Sequence, residues 1–82
     1  MAEITYYVAL PFVPADDGVA AGEPAECPTA AAAIRRAEAL SRIEGNVGAL
    51  AFSRTGDPGA GDFNDAVLLK AFGDVPSDLS AL

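Results

Sequence analysis

The polar residues that could bind a ligand or a metal ion are concentrated between positions 55 and 65, where short polar side chains are interspersed with glycines. The candidate ligand residues in and next to this segment are Arg54, Asp57, Asp62, Asn64 and Asp65. Carboxylate and amide oxygens are ligands for hard cations such as Ca²⁺, but the Gly and the closing Glu of a calcium loop are missing. The Lys of a phosphate-binding loop is missing too.

The segment from Thr55 to Asp65 is therefore interpreted as a solvated connection whose Asp side chains accept hydrogen bonds from backbone N–H groups. Arg54, which precedes it, is expected to pair with Asp57 or Asp62 and not to bind an anionic substrate. A small-ligand or metal-binding loop is the alternative function for this segment.

Catalytic chemistry has few candidate residues. The chain contains no His, which excludes Ser-His-Asp and Cys-His arrangements and imidazole metal sites. Cys27 precedes a predicted helix start but has no second Cys at CxxC spacing, so we interpret it as a structural thiol. Asp16 and Asp17 are adjacent carboxylates that could in principle take part in acid–base chemistry. They lie in a predicted turn, where Asp is expected in any case. We predict no catalytic residue, no cofactor and no metal.

Length and charge limit the remaining classes of function. The chain has 82 residues, 12 acidic and 5 basic side chains, and a net charge of −7, which is typical of one small acidic domain spanning residues 1–82. Such a charge disfavours binding to nucleic acid and to anionic membranes. No apolar run is long enough to span a bilayer. With one Cys and no signal-like N-terminus, we expect a cytoplasmic protein.

The first half of the chain predicts two strands. Residues Ile4–Val13 alternate with a period of two and include β-branched and aromatic residues, which indicates a strand. Pro11 cannot donate a ladder hydrogen bond, so we expect an edge or a bulge there. A turn at Pro14–Gly18 leads to residues Val19–Cys27, which are either an edge strand weakened by a Gly and a Pro or an irregular extended loop.

The second half predicts a helix followed by two strands. Thr29 is the expected N-cap of an amphipathic helix that stops at Gly45 and Asn46. Strands are predicted at Val47–Arg54 and Ala66–Phe72, and residues 76–82 form an expected frayed tail. The order ββαββ predicts an α+β fold, with a single mostly antiparallel sheet and one helix packed on one face.

One helix covers only one face of a sheet. We expect it over the larger side chains, which are Tyr6, Val8, Leu10, Leu50, Phe52, Val67 and Leu69. The other face then carries Tyr7, Ala9, Ala49, Ala51, Leu68, Lys70 and Phe72. Because contiguous exposed apolar surface marks contact sites, we predict an interface for a second copy or a protein partner through Tyr7, Leu68, Lys70 and Phe72. The alternative is that Leu79 and Leu82 of the tail cover this face.

Three stretches, Tyr6–Phe12, Ile34–Glu38 and Ala51–Asp57, resemble short uncharacterised bacterial proteins, and the resemblance extends over most of the chain. It implies no activity, cofactor or catalytic residue. The sequence therefore predicts a small acidic, non-catalytic interaction or self-assembly module. A small-ligand or metal-binding protein using Thr55–Asp65 is the alternative, and an enzyme is the third hypothesis.

Overall fold

The computed structural model describes residues 3–16, 18–57, 59–64 and 66–76. Its elements are β1 (Ile4–Ala15), β2 (Gly18–Ala21), β3 (Ala25–Cys27), α1 (Ala30–Ser41), β4 (Gly48–Asp57), β5 (Asp62–Phe63) and β6 (Val67–Gly73). All described strand pairs are antiparallel, and α1 packs on one face of the curled sheet. The predicted α+β class is confirmed. The tail residues Leu79 and Leu82 lie outside the described residues.

β1 and β4 form the centre of the sheet, paired from Ile4 opposite Gly56 to Phe12 opposite Gly48. On the outer side of β1, β2 pairs with its end and β3 with its middle. On the outer side of β4, β5 and β6 pair with successive parts of that strand. The edge strand predicted for residues 19–27 is therefore present in two pieces, separated at residues 22–24.

Pro11 is buried inside the central strand β1, although a proline there lacks a ladder donor. Its carbonyl oxygen accepts a hydrogen bond from the Gly22 N–H at 2.8 Å, in the gap between β2 and β3. In a β-strand the backbone N–H and C=O of the same residue point to the same side, so the backbone nitrogen of Pro11, which carries no hydrogen, also faces this gap. The break in the edge strand thus lies beside the residue that cannot donate to it.

The start of α1 follows the sequence prediction, whereas the helix ends at Ser41, with Arg42 as its C-cap, before the predicted stop at Gly45 and Asn46. The Thr29 side chain accepts a hydrogen bond from the Ala32 N–H at 3.1 Å, which satisfies one of the free donors of the first turn. After the helix, Gly45 takes a φ of +98°, a left-handed conformation that favours glycine. The Asn46 amide then donates to the Leu40 carbonyl at 2.8 Å, so that the chain reverses towards β4.

A layer of alanines separates α1 from the sheet. Five residues of this layer are fully buried, namely Ala9, Ala33, Ala37, Ala49 and Ala51, and we call them the alanine layer. Half-buried apolar side chains surround it, namely Tyr7, Cys27, Ile34, Leu40, Leu69 and Phe72. The prediction that the helix covers the larger side chains is wrong, except at Leu69. Because alanine side chains end at Cβ, this face lets helix and sheet backbones approach closely, which bulky side chains would prevent.

β6 contains a bulge, which changes the face of the sheet on which some of its side chains lie. Lys70 pairs with Ala51, whereas Leu68 pairs with Phe52, so Leu69 is an extra residue between them. An extra residue shifts the alternation of side chains by one position. Leu68 therefore lies on the same face as Phe52, and Lys70 lies on the face of the alanine layer.

We predict that Ala37→Leu destabilises the fold by about 1–3 kcal/mol, because the closely packed alanine layer has no room for three more carbon atoms. Ala39→Leu is the matched control, since Ala39 lies on the exposed side of the same helix. Its change in the free energy of unfolding should stay within about 0.5 kcal/mol. Urea denaturation measures both values, and equal losses would contradict the close helix–sheet packing.

Candidate functional site

The sheet face opposite α1, which we call the open face, carries the large side chains. Alternation along β1 and β4 places every second residue there. The open face consists of Ile4, Tyr6, Val8, Leu10, Phe12, Leu50, Phe52 and Arg54, together with Glu26, Phe63 and Leu68 from the flanking strands.

One half of the open face is covered by the chain itself. Leu10, Phe12 and Leu50 form a buried cluster with exposed fractions of 7%, 3% and 0%. Val19 from β2 and Val75 from the turn after β6 pack against this cluster. This half therefore forms a second small core without help from a helix.

The other half of the open face forms a shallow groove of about 350 Å³. It is lined by Tyr6, Val8, Pro24, Glu26, Phe52, Arg54 and Phe63. The rings of Tyr6 and Phe63 pack at a centroid distance of 6.0 Å, and Phe63 remains 43% exposed. Leu68, beside Phe52, is 44% exposed. The open half thus combines exposed aromatic and aliphatic surface.

The two charges of the groove lie on either side of β1. Glu26 projects from β3 opposite Val8, and Arg54 projects from β4 opposite Tyr6. Glu26 is exposed, while Arg54 is partly buried. The described lining of the groove therefore combines apolar side chains with one carboxylate and one guanidinium group.

The segment from 55 to 65 is largely a β-hairpin, so the prediction of a long exposed connection is wrong. β4 continues to Asp57, and β5 returns from Asp62. The Asn64 N–H donates to the Thr55 carbonyl at 2.8 Å, which extends the pairing. The prediction failed because the glycine and Asp residues of this segment carry no apolar alternation, although backbone pairing does not need it.

The Asp57 carboxylate stabilises the turn of this hairpin. Its Oδ1 accepts a hydrogen bond from the Gly59 N–H at 2.9 Å, and its carbonyl accepts one from the Gly61 N–H, also at 2.9 Å. Gly61 has a φ of +74°, so this position favours glycine. Asp57 therefore has the backbone-capping role that the sequence indicates.

Among the described ligand candidates, Asp62 pairs with Asp57 across the hairpin. Asp62 and Asn64 are exposed at the hairpin, Arg54 lies in the groove of the open face, and Asp65 is outside the described residues. Within the described ranges, no three Cys, Asp or Glu side chains are close enough together to hold a metal ion.

Three of the four predicted interface residues lie on the helix side of the sheet. Tyr7 and Phe72 pack against the alanine layer, and the Lys70 Nζ lies 5.4 Å from the centre of the Phe72 ring. Leu68 alone of this set lies on the open face, opposite Phe52. The sequence pattern did not identify the open-face residues Tyr6, Val8, Phe52 and Phe63, because the first three were predicted beneath the helix and Phe63 was predicted in a loop.

Cys27 is half-buried against the alanine layer, and its Sγ lies 3.7 Å from the Ala25 carbonyl oxygen. It fills space between β3 and α1, as expected for a structural thiol.

Comparisons of the chain with protein families, with curated proteins and with solved structures find no significant match. Within the part of the chain that the structure describes, no helix is both long and apolar enough to cross a membrane. The geometry of the open face is therefore the basis for a functional proposal.

We predict that Asp57→Ala lowers the free energy of unfolding by about 1 kcal/mol, because the Gly59 N–H loses its acceptor in the turn. Asp62→Ala removes the same charge from the paired position of the hairpin and is the matched control. Its effect should stay within about 0.5 kcal/mol. Thermal unfolding of both variants checks this, and equal stabilities would show that the turn does not depend on the carboxylate.

Proposed function

We propose that this protein is a small, non-catalytic self-assembly module of the cytoplasm that uses its open face to bind a second copy of itself. The observation that carries the proposal is the exposed apolar surface of the open half, where Phe63 and Leu68 remain 43% and 44% exposed beside Tyr6 and Phe52. Exposed apolar surface of this kind is typical of contact sites. A cytoplasmic location is supported by a single Cys, which cannot form an intrachain disulfide.

The sheet edges are poor sites for association. The outer edge strand β6 has a bulge and carries Lys70 in its middle, and the opposite edge is interrupted between β2 and β3 by a segment containing Pro24. Bulges, edge lysines and prolines prevent strands of two molecules from pairing. Association through the face of the sheet is therefore favoured over edge-to-edge pairing.

The charge of the open face favours a second copy. Among the described residues that line the groove, the charged ones are Glu26 and Arg54, which are of opposite sign, so this lining carries no net charge although the chain carries a net charge of −7. Two copies can bring neutral faces together while most of their acidic side chains stay in solvent. Such an arrangement lowers the electrostatic repulsion that two acidic proteins otherwise experience.

The size of the open half indicates a weak dimer. Ideal strand spacings give it an extent of about 20 Å by 20 Å. This is smaller than the roughly 800 Å² that each partner contributes to a standard stable interface. We therefore expect a reversible dimer with a dissociation constant on the order of 10 µM.

We predict that Leu68→Glu raises the dimer dissociation constant at least about tenfold, because it replaces exposed apolar surface of the proposed contact with a charge. Ile43→Glu is the matched control, since Ile43 is an aliphatic residue with 52% exposure just beyond α1, where no contact is proposed. Both variants change the net charge equally. Sedimentation equilibrium over about 1 µM to 1 mM measures the dissociation constants.

The wild-type chain should approach twice the monomer mass at the top of this concentration series, and the Ile43→Glu variant should follow it. A wild-type chain that stays monomeric throughout would contradict the proposed function. Equal weakening by both variants would show that net charge, and not the open face, governs association. Circular dichroism of each variant establishes that it is folded.

A further inference from the structure

A second depression in the surface lies at the break between β2 and β3, on the helix side of the sheet, and we call it the edge pocket. It has a volume of about 370 Å³ and is lined by Pro11, Glu23, Pro24, Ala25, Arg36 and Leu40. Pockets that bind small molecules range upward from about 300 Å³. The edge pocket is therefore large enough for a small organic molecule.

The edge pocket lies beside Pro11 because this residue has no N–H to donate to an edge strand. The chain leaves the sheet there and runs as a loop over residues 22–24. The Gly22 N–H donates to the Pro11 carbonyl at 2.8 Å, and a Cβ atom at position 22 would lie only 3.2 Å from Pro11 Cγ. Glycine thus lets the loop pack against the proline ring, and the edge pocket is already formed in the free protein.

The base of the edge pocket is apolar. Pro11 is buried and belongs to the helix side of β1, opposite Ala49. Ala25 of β3 and Leu40 of α1 are half-buried. An apolar base of this kind contacts the carbon atoms of a ligand, and a small number of polar groups around it then fix the orientation of the ligand.

The rim of the edge pocket carries one charge of each sign. Arg36 belongs to α1, one turn before Leu40, and Glu23 belongs to the loop between β2 and β3. Both residues are exposed. Within the described ranges they form no ion pair with each other, whereas Arg42 and Glu38 pair at 3.4 Å. The edge pocket therefore presents a guanidinium group from the helix and a carboxylate from the loop.

We propose that the edge pocket binds a small zwitterion with an apolar side chain, namely a free aliphatic amino acid. The carboxylate of the ligand pairs with Arg36, whose planar fork of N–H donors matches it, and the ammonium group donates to Glu23. The side chain of the ligand covers the apolar base. A zwitterion has no net charge, so the charge of −7 on the chain does not repel it. A simple carboxylate meets Glu23 and this net charge, and a simple amine meets Arg36.

Titration of the folded protein with leucine at neutral pH, followed through the backbone amide resonances, tests the proposal. We expect saturable shifts at residues 22–25 and 36–40. Because both charged groups are exposed to solvent, the dissociation constant should be on the order of 1 mM. Isocaproate, which lacks the amino group of leucine, and isoamylamine, which lacks its carboxylate, keep the branched alkyl chain. Each should bind at least about fivefold more weakly than leucine.

Arg36→Gln and Glu23→Gln, each alone, should raise the dissociation constant for leucine about fivefold, because each removes one of the two charge pairs. Arg35→Gln and Glu44→Gln are the matched controls, since they remove the same charges from exposed residues that do not line the edge pocket. Both controls should bind leucine as the wild-type chain does. Thermal unfolding establishes that each variant is folded.

An absence of saturable shifts up to about 50 mM leucine overturns the proposal. Equal affinities for leucine and its two analogues also overturn it, as does a loss in Arg35→Gln as large as that in Arg36→Gln. Shifts confined to the groove would assign the ligand to the open face and contradict the edge pocket. The proposed self-association is tested separately, because among the described lining residues the edge pocket shares only Pro24 with the groove.

Discussion

The contact on which the rest of the structure depends is the alanine-to-alanine packing of α1 on β1 and β4. Ala33 and Ala37 of the helix meet Ala49 and Ala51 of the sheet, and all four are fully buried. Side chains this short hold a helix stably only where the backbones come close together. The helix therefore packs on the face that carries the small residues, and the large side chains of the same strands lie on the opposite face.

The large side chains on the opposite face form two groups, one buried and one exposed. Leu10, Phe12 and Leu50 form a buried cluster, against which Val19 and Val75 pack. The half around Val8 and Phe52 has no such cover among the described residues and forms the groove. A domain of this size buries only about 60% of its unfolded surface, so the proposed docking of a second copy on the groove would add apolar burial that one chain does not provide.

The sequence pattern predicted the elements well because their signals are local. The period of two along β1, the Thr29 cap and the Gly22 and Pro24 break in the edge strand each act within a few residues. The faces were predicted wrongly because both faces of β1 and β4 are apolar, so hydrophobicity alone does not choose between them. The deciding signal was size: a helix whose inward residues are Ala33 and Ala37 fits a sheet face of alanines better than one of Phe52 and Val8.

The bulge at Leu69 could not be predicted from the sequence, because it depends on the register between β6 and β4.

The most direct test of the helix–sheet packing is a methyl-resolved nuclear Overhauser spectrum of the folded protein. Close packing within the alanine layer predicts cross-peaks from the methyl groups of Ala33 and Ala37 to those of Ala49 and Ala51. Cross-peaks from the two helix methyl groups to the Phe52 ring would instead place the helix on the large-residue face and contradict it.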